Sequence, residues 1–267
     1  VVQGNQPNFT RAVPNSAIWS YTTIRSINIM LDRIETRMSG VLTPTAKAHW
    51  TGIGRFFRAF RYSELVQAYG DVPYYTREIK DTELDKPRTS RNEVMDGVYD
   101  DLKFALQNVR LEDGDQNVNR YIVAGFISRL ALNEGTWQKY YYKNNERAKK
   151  FLELAVEAAD LDMRSGKYAI NTDYKTIFTS KELRGNRECV LYRNYDPAVG
   201  VTHAIASYGN LAESTLNGPT SDLLKSYILT SGDVYQNAGA TAASFNLDNM
   251  ITTRDSRFEA TFYSKPS

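Results

Sequence analysis

The chain has 267 residues, enough to bury a large core as one large domain or two small ones. Its 33 basic and 31 acidic residues leave a net charge of +2 with no long Lys/Arg run, which argues against nucleic acid as the main partner. A single cysteine, Cys189, excludes an internal disulfide, and no stretch reads as a signal peptide or membrane-spanning helix. Aromatic residues make up 12%, with 18 Tyr. Phenol rings suit a ligand that has both apolar faces and hydroxyls, although for any single ring a place in the core is the simpler expectation.

Residues 1 to about 15 read as an irregular lead-in punctuated by Pro7 and Pro14. Ser16 is the expected N-cap of a first helix running to about Arg37, with Ile24, Ile27, Leu31 and Ile34 as its buried stripe. Asn28 lies inside that helix, and a buried Asn needs partners for its amide. Beyond a connection at Leu42-Thr43-Pro44-Thr45, a second helix carries GIGRFFRAFRYSELVQAYGDVPYY from Gly52 to Tyr75. Ile53, Phe56, Phe57 and Phe60 form one apolar stripe; Ala59, Tyr62, Val66 and Tyr69 form another. Such a helix is packed on two sides, as between layers of stacked helices. Arg55, Arg58 and Arg61 make a ridge on the remaining side, read as solvated or acid-paired. Gly70 supplies the left-handed residue that ends the helix, and Pro73 prevents it resuming.

Ser90-Arg91-Asn92-Glu93 spells a capping box for a third helix, with Met95, Tyr99, Leu102, Leu106 and Val109 inward. Asp113, Asp115 and Asn117 alternate as calcium ligands do, but the glycine is misplaced and Ala124 stands where the last ligand belongs. A plain acidic turn is the preferred reading, and no metal or cofactor is expected. A fourth helix, about Arg120 to Trp137, ends in the aromatic run Trp137-Gln138-Lys139-Tyr140-Tyr141-Tyr142, read as covering helix ends rather than as a binding platform. A fifth, about Glu146 to Ser165, stops at Gly166. Cys189 to Tyr192 reads as a strand with a buried thiol. Residues 194 to 217 are loop-rich, a short helix begins near Pro219, and 233 to 250 reads as an exposed loop. Uneven helix spacing means that periodicity alone supports only an all-α protein of stacked hairpins.

The string RFFRAFRYSELVQAYGDVPY resembles the second-helix signature of the SusD/RagB family, nutrient-binding lipoproteins of Gram-negative outer membranes, with Phe57 where Leu is usual. Pro87-Arg88-Thr89-Ser90, Glu93-Val94, Asp101-Leu102 and Ala105 are similar to the family's third helix. Lys167-Tyr168, Asp173-Tyr174, Ile177-Phe178, Glu188 with Cys189–Tyr192, and Arg254-Asp255-Ser256-Arg257-Phe258 follow in the family's order, with Ser256 in place of proline. The resemblance implies a mainly α fold of tetratricopeptide-like stacked helix pairs with an irregular, loop-rich C-terminal portion. Residues 1–192 are expected to form the helical-repeat region with its first strand, and 193–267 the loop-rich portion of the same domain. Family members begin farther upstream with a lipidated cysteine and continue past the last motif, so the chain reads as truncated.

No catalytic constellation emerges. His49 and His203 lie in no zinc pattern, no phosphate loop is present, and Asp71, Asp101, Asp160 and Asp162 read as caps or ion pairs rather than a glycosidase pair. Binding is the stronger expectation, because sugars pack C–H faces on aromatic rings and bond hydroxyls to amides. Tyr195, His203, Tyr208, Asn210 and Asn217 offer these groups in the 194–219 segment. The resemblance implies a surface-exposed, lipid-anchored outer-membrane protein that captures oligosaccharide without turnover and delivers it to a SusC-like TonB-dependent transporter. A helical-repeat scaffold holding a peptide or protein, and a glycoside hydrolase, remain the alternatives.

Overall fold

The computed structural model describes residues 18–79, 83, 86–114, 116–204, 219–244 and 246–262. The chain divides into two compact units, Val1–Tyr168 and Ala169–Ser267.

Five long helices build the first unit. α1 (Thr22–Thr36) starts at Thr22 rather than after Ser16, which lies outside the described residues; Tyr21 at the cap position makes no side-chain cap. Ile24, Ile27 and Ile34 form its buried stripe. α2 (Pro44–Tyr69) begins earlier than the sequence suggests. Thr43 Oγ1 accepts a hydrogen bond from the Ala46 amide at 3.2 Å, and Pro44 occupies the first turn, where its missing N–H has no partner to lose. Both α1 and α3 (Arg91–Asn108) pack against α2, as its two apolar sides require. Ile53, Phe56, Ala59, Tyr62, Leu65 and Val66 are buried, whereas Phe57 at the stripe's margin is 39% exposed. Gly70 ends α2 with φ +71°, its amide donating to Val66 O.

Ser90 Oγ accepts from the Glu93 amide at 3.3 Å, one half of the expected box, and Asp71 Oδ1 accepts from the Arg91 amide at 2.7 Å. α4 (Arg120–Tyr140) and α5 (Asn145–Arg164) form a second close pair. Asn119 and Asn144 cap them through side-chain oxygens. One core runs through all five helices, from Ile24 through Tyr62 and Leu102 to Ile127 and Phe151. Each such side chain contributes about 1.5–3 kcal/mol by leaving water. α4 runs past Trp137 to Tyr140, and the rings of Trp137, Tyr140, Tyr141 and Tyr142 remain exposed instead of covering helix ends.

The second unit is assembled from short helices: α6 (Tyr174–Thr179), a 3₁₀ turn (Pro197–Val199), α7 (Ser221–Ser226), α8 (Ala240–Ala243), α9 (Leu247–Thr253) and α10 (Ser256–Thr261). The expected exposed loop at 233–250 therefore includes helical turns. Among the described residues no strand forms. The 189–192 run finds no partner ladder; the Cys189 amide turns back to Asn186 O at 3.1 Å, and the thiol is half-buried rather than buried. Arg254 is almost fully buried and donates to Ala242 O at 2.7 Å, while Asp255 caps α10 and pairs with Arg257. Both arginines of that motif are held by partners within the second unit.

Candidate functional site

In the loop-rich segment, Asp196 fixes the chain locally by accepting from the Ala198 amide at 2.9 Å, which starts the Pro197–Val199 turn. On either side of that turn stand Tyr195 and His203, whose rings meet edge to face with centroids 4.7 Å apart. The Arg193 guanidinium lies 5.2 Å from the Tyr195 ring centroid, and Tyr195 is 42% exposed. A cation on one ring and an imidazole at its edge hold the phenol in place while leaving it accessible. Tyr208, Asn210 and Asn217, the other expected members, lie outside the described residues.

The first unit carries an aromatic surface that sequence reasoning missed. Trp19, immediately before α1, is 38% exposed, meets Tyr69 edge-on at 4.8 Å and Tyr21 at 5.9 Å, and has the Arg88 guanidinium 5.4 Å from its ring. Edge-to-face contacts continue inward from Tyr21 to Tyr75 and Tyr62, and from Tyr62 to Tyr74. Burial pushes the phenols of Tyr21 and Tyr62 far above their ordinary range, so both stay neutral. A Trp just ahead of a cap position was the available signal, obscured because the sequence extends the helix back to Ser16.

Of the titratable residues the sequence offers for catalysis, His49, Asp71, Asp101 and Asp160 have structural partners, whereas Asp162, expected as a cap or ion pair, has a buried Oδ1 with no hydrogen-bond partner among the described residues. His49 is fully buried; its Nδ1 accepts from the Arg110 amide at 3.1 Å, and burial lowers its pKa, so the ring is neutral. Asp101 binds Arg58, Asp71 holds the start of α3, and Asp160 pairs with Arg164 at 2.6 Å. Asp113 is taken by Arg110 at 3.1 Å, and among the described residues no group of three or more His, Cys, Asp or Glu could hold a metal ion. Nor is any helix among them long and apolar enough to cross a membrane.

These features sit on a recognisable scaffold. A family model described as "Starch-binding associating with outer membrane" matches residues 3–132. A SusD-like protein of Bacteroides ovatus is 23% identical over 187 residues, covering 68% of this chain and 33% of its own length. The chain is similar to SusD-like proteins. A SusD-like carbohydrate-binding protein of Bacteroides fragilis superposes with a TM-score of 0.66 at 18% identity, over 91% of this chain and 45% of that one. A laminarin-binding SusD-like protein gives 0.53 at 17% identity, over 65% and 36%. The mainly α, helix-pair architecture is thus that of the SusD-like fold, and the chain spans less than half the length of each of these proteins.

Proposed function

We propose that this SusD-like chain binds glycan without turning it over, at the outer-membrane surface, and delivers it to a TonB-dependent transporter. The supporting observation is that exposed, cation-braced rings, Trp19 beside Arg88 and Tyr195 beside Arg193, stand on a SusD-like scaffold. Flat rings pack the C–H faces of sugars, and neighbouring amides and guanidinium groups meet the hydroxyls. The laminarin-binding neighbour and the starch-binding family description point to the same ligand class. Tyr208, Asn210 and Asn217 belong to the proposed site through the chain's own 194–219 segment. Its attachment to the membrane is proposed to be through an N-terminal lipid anchor.

Affinity electrophoresis through gels containing starch, laminarin and a wider polysaccharide panel tests the reading. Retardation of the protein, diminished by Trp19→Ala or Tyr195→Ala and unaccompanied by release of reducing ends, is the expected result. Unchanged mobility in every gel overturns it, and released reducing ends would make the protein a hydrolase.

A second reading, a scaffold for a peptide or protein partner, is favoured by a groove of about 710 Å³ along α4 and α5, where Leu152 and Val156 lie between Lys149, Glu153 and Glu157. Capture of a peptide ligand with no response to any sugar would support it.

A further inference from the structure

The end of α4 carries rings that neither the core nor the surfaces above employ. Trp137 and Tyr141, one turn apart, stack with centroids 4.3 Å apart and planes 21° from parallel. Trp137 is 38% exposed and Tyr141 72%. Exposed aromatic faces of this kind can pack against a ligand that has an apolar face.

Behind the stack the chemistry is built and fixed. Arg91 is 6% exposed and donates to both oxygens of Glu134, at 2.8 and 2.5 Å; Glu134 is 2% exposed. Gln138 Nε2 bonds both Glu134 Oε1 at 2.8 Å and Asn92 Oδ1 at 2.7 Å, holding the carboxylate from a second direction. The Arg91 guanidinium in turn lies 5.2 Å from the Trp137 ring centroid and 5.7 Å from that of Tyr142. Arg91 and Trp137, with Val66, Gln67 and Asn133, line a recess of about 220 Å³. That is roughly seven water volumes, the size of one sugar ring. Neither the Gln67 nor the Asn133 side-chain amide has a hydrogen-bond partner among the described residues.

We propose that this recess is a second glycan subsite, which takes one pyranose ring of a bound polysaccharide. The C–H face of the sugar packs on the exposed part of the Trp137–Tyr141 stack. Its hydroxyls bond to the amides of Gln67 and Asn133 and accept from the donors of Arg91 that Glu134 leaves open, since a guanidinium has five and the carboxylate takes two. A neutral polyhydroxylated ligand fits better than an anion, because Glu134 already neutralises Arg91. The assignment rests on the glycan-binding reading above but on different residues.

The test is the same affinity electrophoresis with Trp137→Ala, Tyr141→Ala and Gln67→Ala beside Tyr195→Ala. Loss of an aromatic anchor is expected to weaken binding roughly ten-fold. Tyr141→Ala, at an exposed position, should keep the wild-type unfolding midpoint, which separates a lost contact from a lost fold. Retarded wild type with all three subsite variants unchanged would overturn the subsite and leave the glycan reading standing. A wild type retarded by no polysaccharide would remove both.

Discussion

Asp101 grips the Arg58 guanidinium with both oxygens, Arg58 Nε to Oδ2 at 2.7 Å and Nη2 to Oδ1 at 2.8 Å, and both residues are buried. Nη1 of the same arginine donates to Asn28 Oδ1 at 3.1 Å and Thr76 O at 2.7 Å, while Asn28 Nδ2 donates to Tyr75 O at 3.0 Å. One guanidinium thus joins α1, α2, α3 and the segment after Gly70. Burial opposes its charge, but the hydrogen bonds and charge of Asp101 overcome that and raise its pKa. Asp101→Ala leaves the cation buried and unpaired, and the expected loss is about 3–5 kcal/mol in urea unfolding. Asp101→Asn, which keeps the shape and accepts one bond, should lose less. Equal stability of Asp101→Ala and wild type would contradict this account.

The Tyr62 hydroxyl does two jobs within the same layer. It donates to Tyr75 O at 3.1 Å and accepts from the Tyr75 amide at 2.7 Å, with the ring wholly buried. Tyr62→Phe keeps the packing but takes one hydrogen bond from the buried Tyr75 amide and one from its carbonyl, which keeps its bond from Asn28; the expected cost is about 1–3 kcal/mol. Hydrogen exchange at the Tyr75 amide should quicken together with that loss; a variant as stable and as protected as wild type would show that water replaces the hydroxyl.

Much of this was written in the sequence, and the failures have a common cause. Local spacing located the long helices, the Gly70 stop, the Ser90 cap and the inward face of α3, because each depends on residues within a few positions. What periodicity omits is which polar residue receives a distant partner. Arg58 reads as one member of a solvated or acid-paired ridge; its acid is Asp101, 43 positions away, and the pair is buried, which spacing does not tell. Arg91 and Glu134 are likewise 43 apart and leave no local trace. The apolar run at Cys189 promised a strand, but a strand needs a neighbour to pair with, and composition does not supply one. Residue type alone singles out Tyr195 and His203 in the sequence; their ring contact spans the Asp196-capped turn between them.

Gly135 sets the separation of α4 and α5. A Cβ there would stand 2.7 Å from Leu152 Cγ and 3.2 Å from Ala148 O. Gly135→Ala gains about 1 kcal/mol of helix propensity but overpacks by about 1–3 kcal/mol, since the Ala148 carbonyl cannot move aside cheaply. A net loss of stability is expected, partly relieved by adding Leu152→Ala. Additive losses in the double-mutant cycle would show that the two residues do not compete for space.

Asp162 gives the first unit an acid-favouring element. Its Oδ1 is buried and has no hydrogen-bond partner among the described residues, and burial pushes the carboxyl up to about 6 from an ordinary 3.8. The folded state therefore holds this proton more tightly than the unfolded chain, so between those two values folding takes up a proton. The sign follows: this group's cost is absent below about pH 4, grows as pH rises, and is complete above about pH 6. The cost is at most about 3 kcal/mol, and solvent screening of a half-buried group makes it smaller. Asp162→Asn removes the ionisation. It should raise the thermal midpoint relative to wild type at pH 7.5 and lose most of that advantage at pH 4, as measured by calorimetry. A difference between the two proteins that is the same at both pH values would mean that the native carboxylate is solvated.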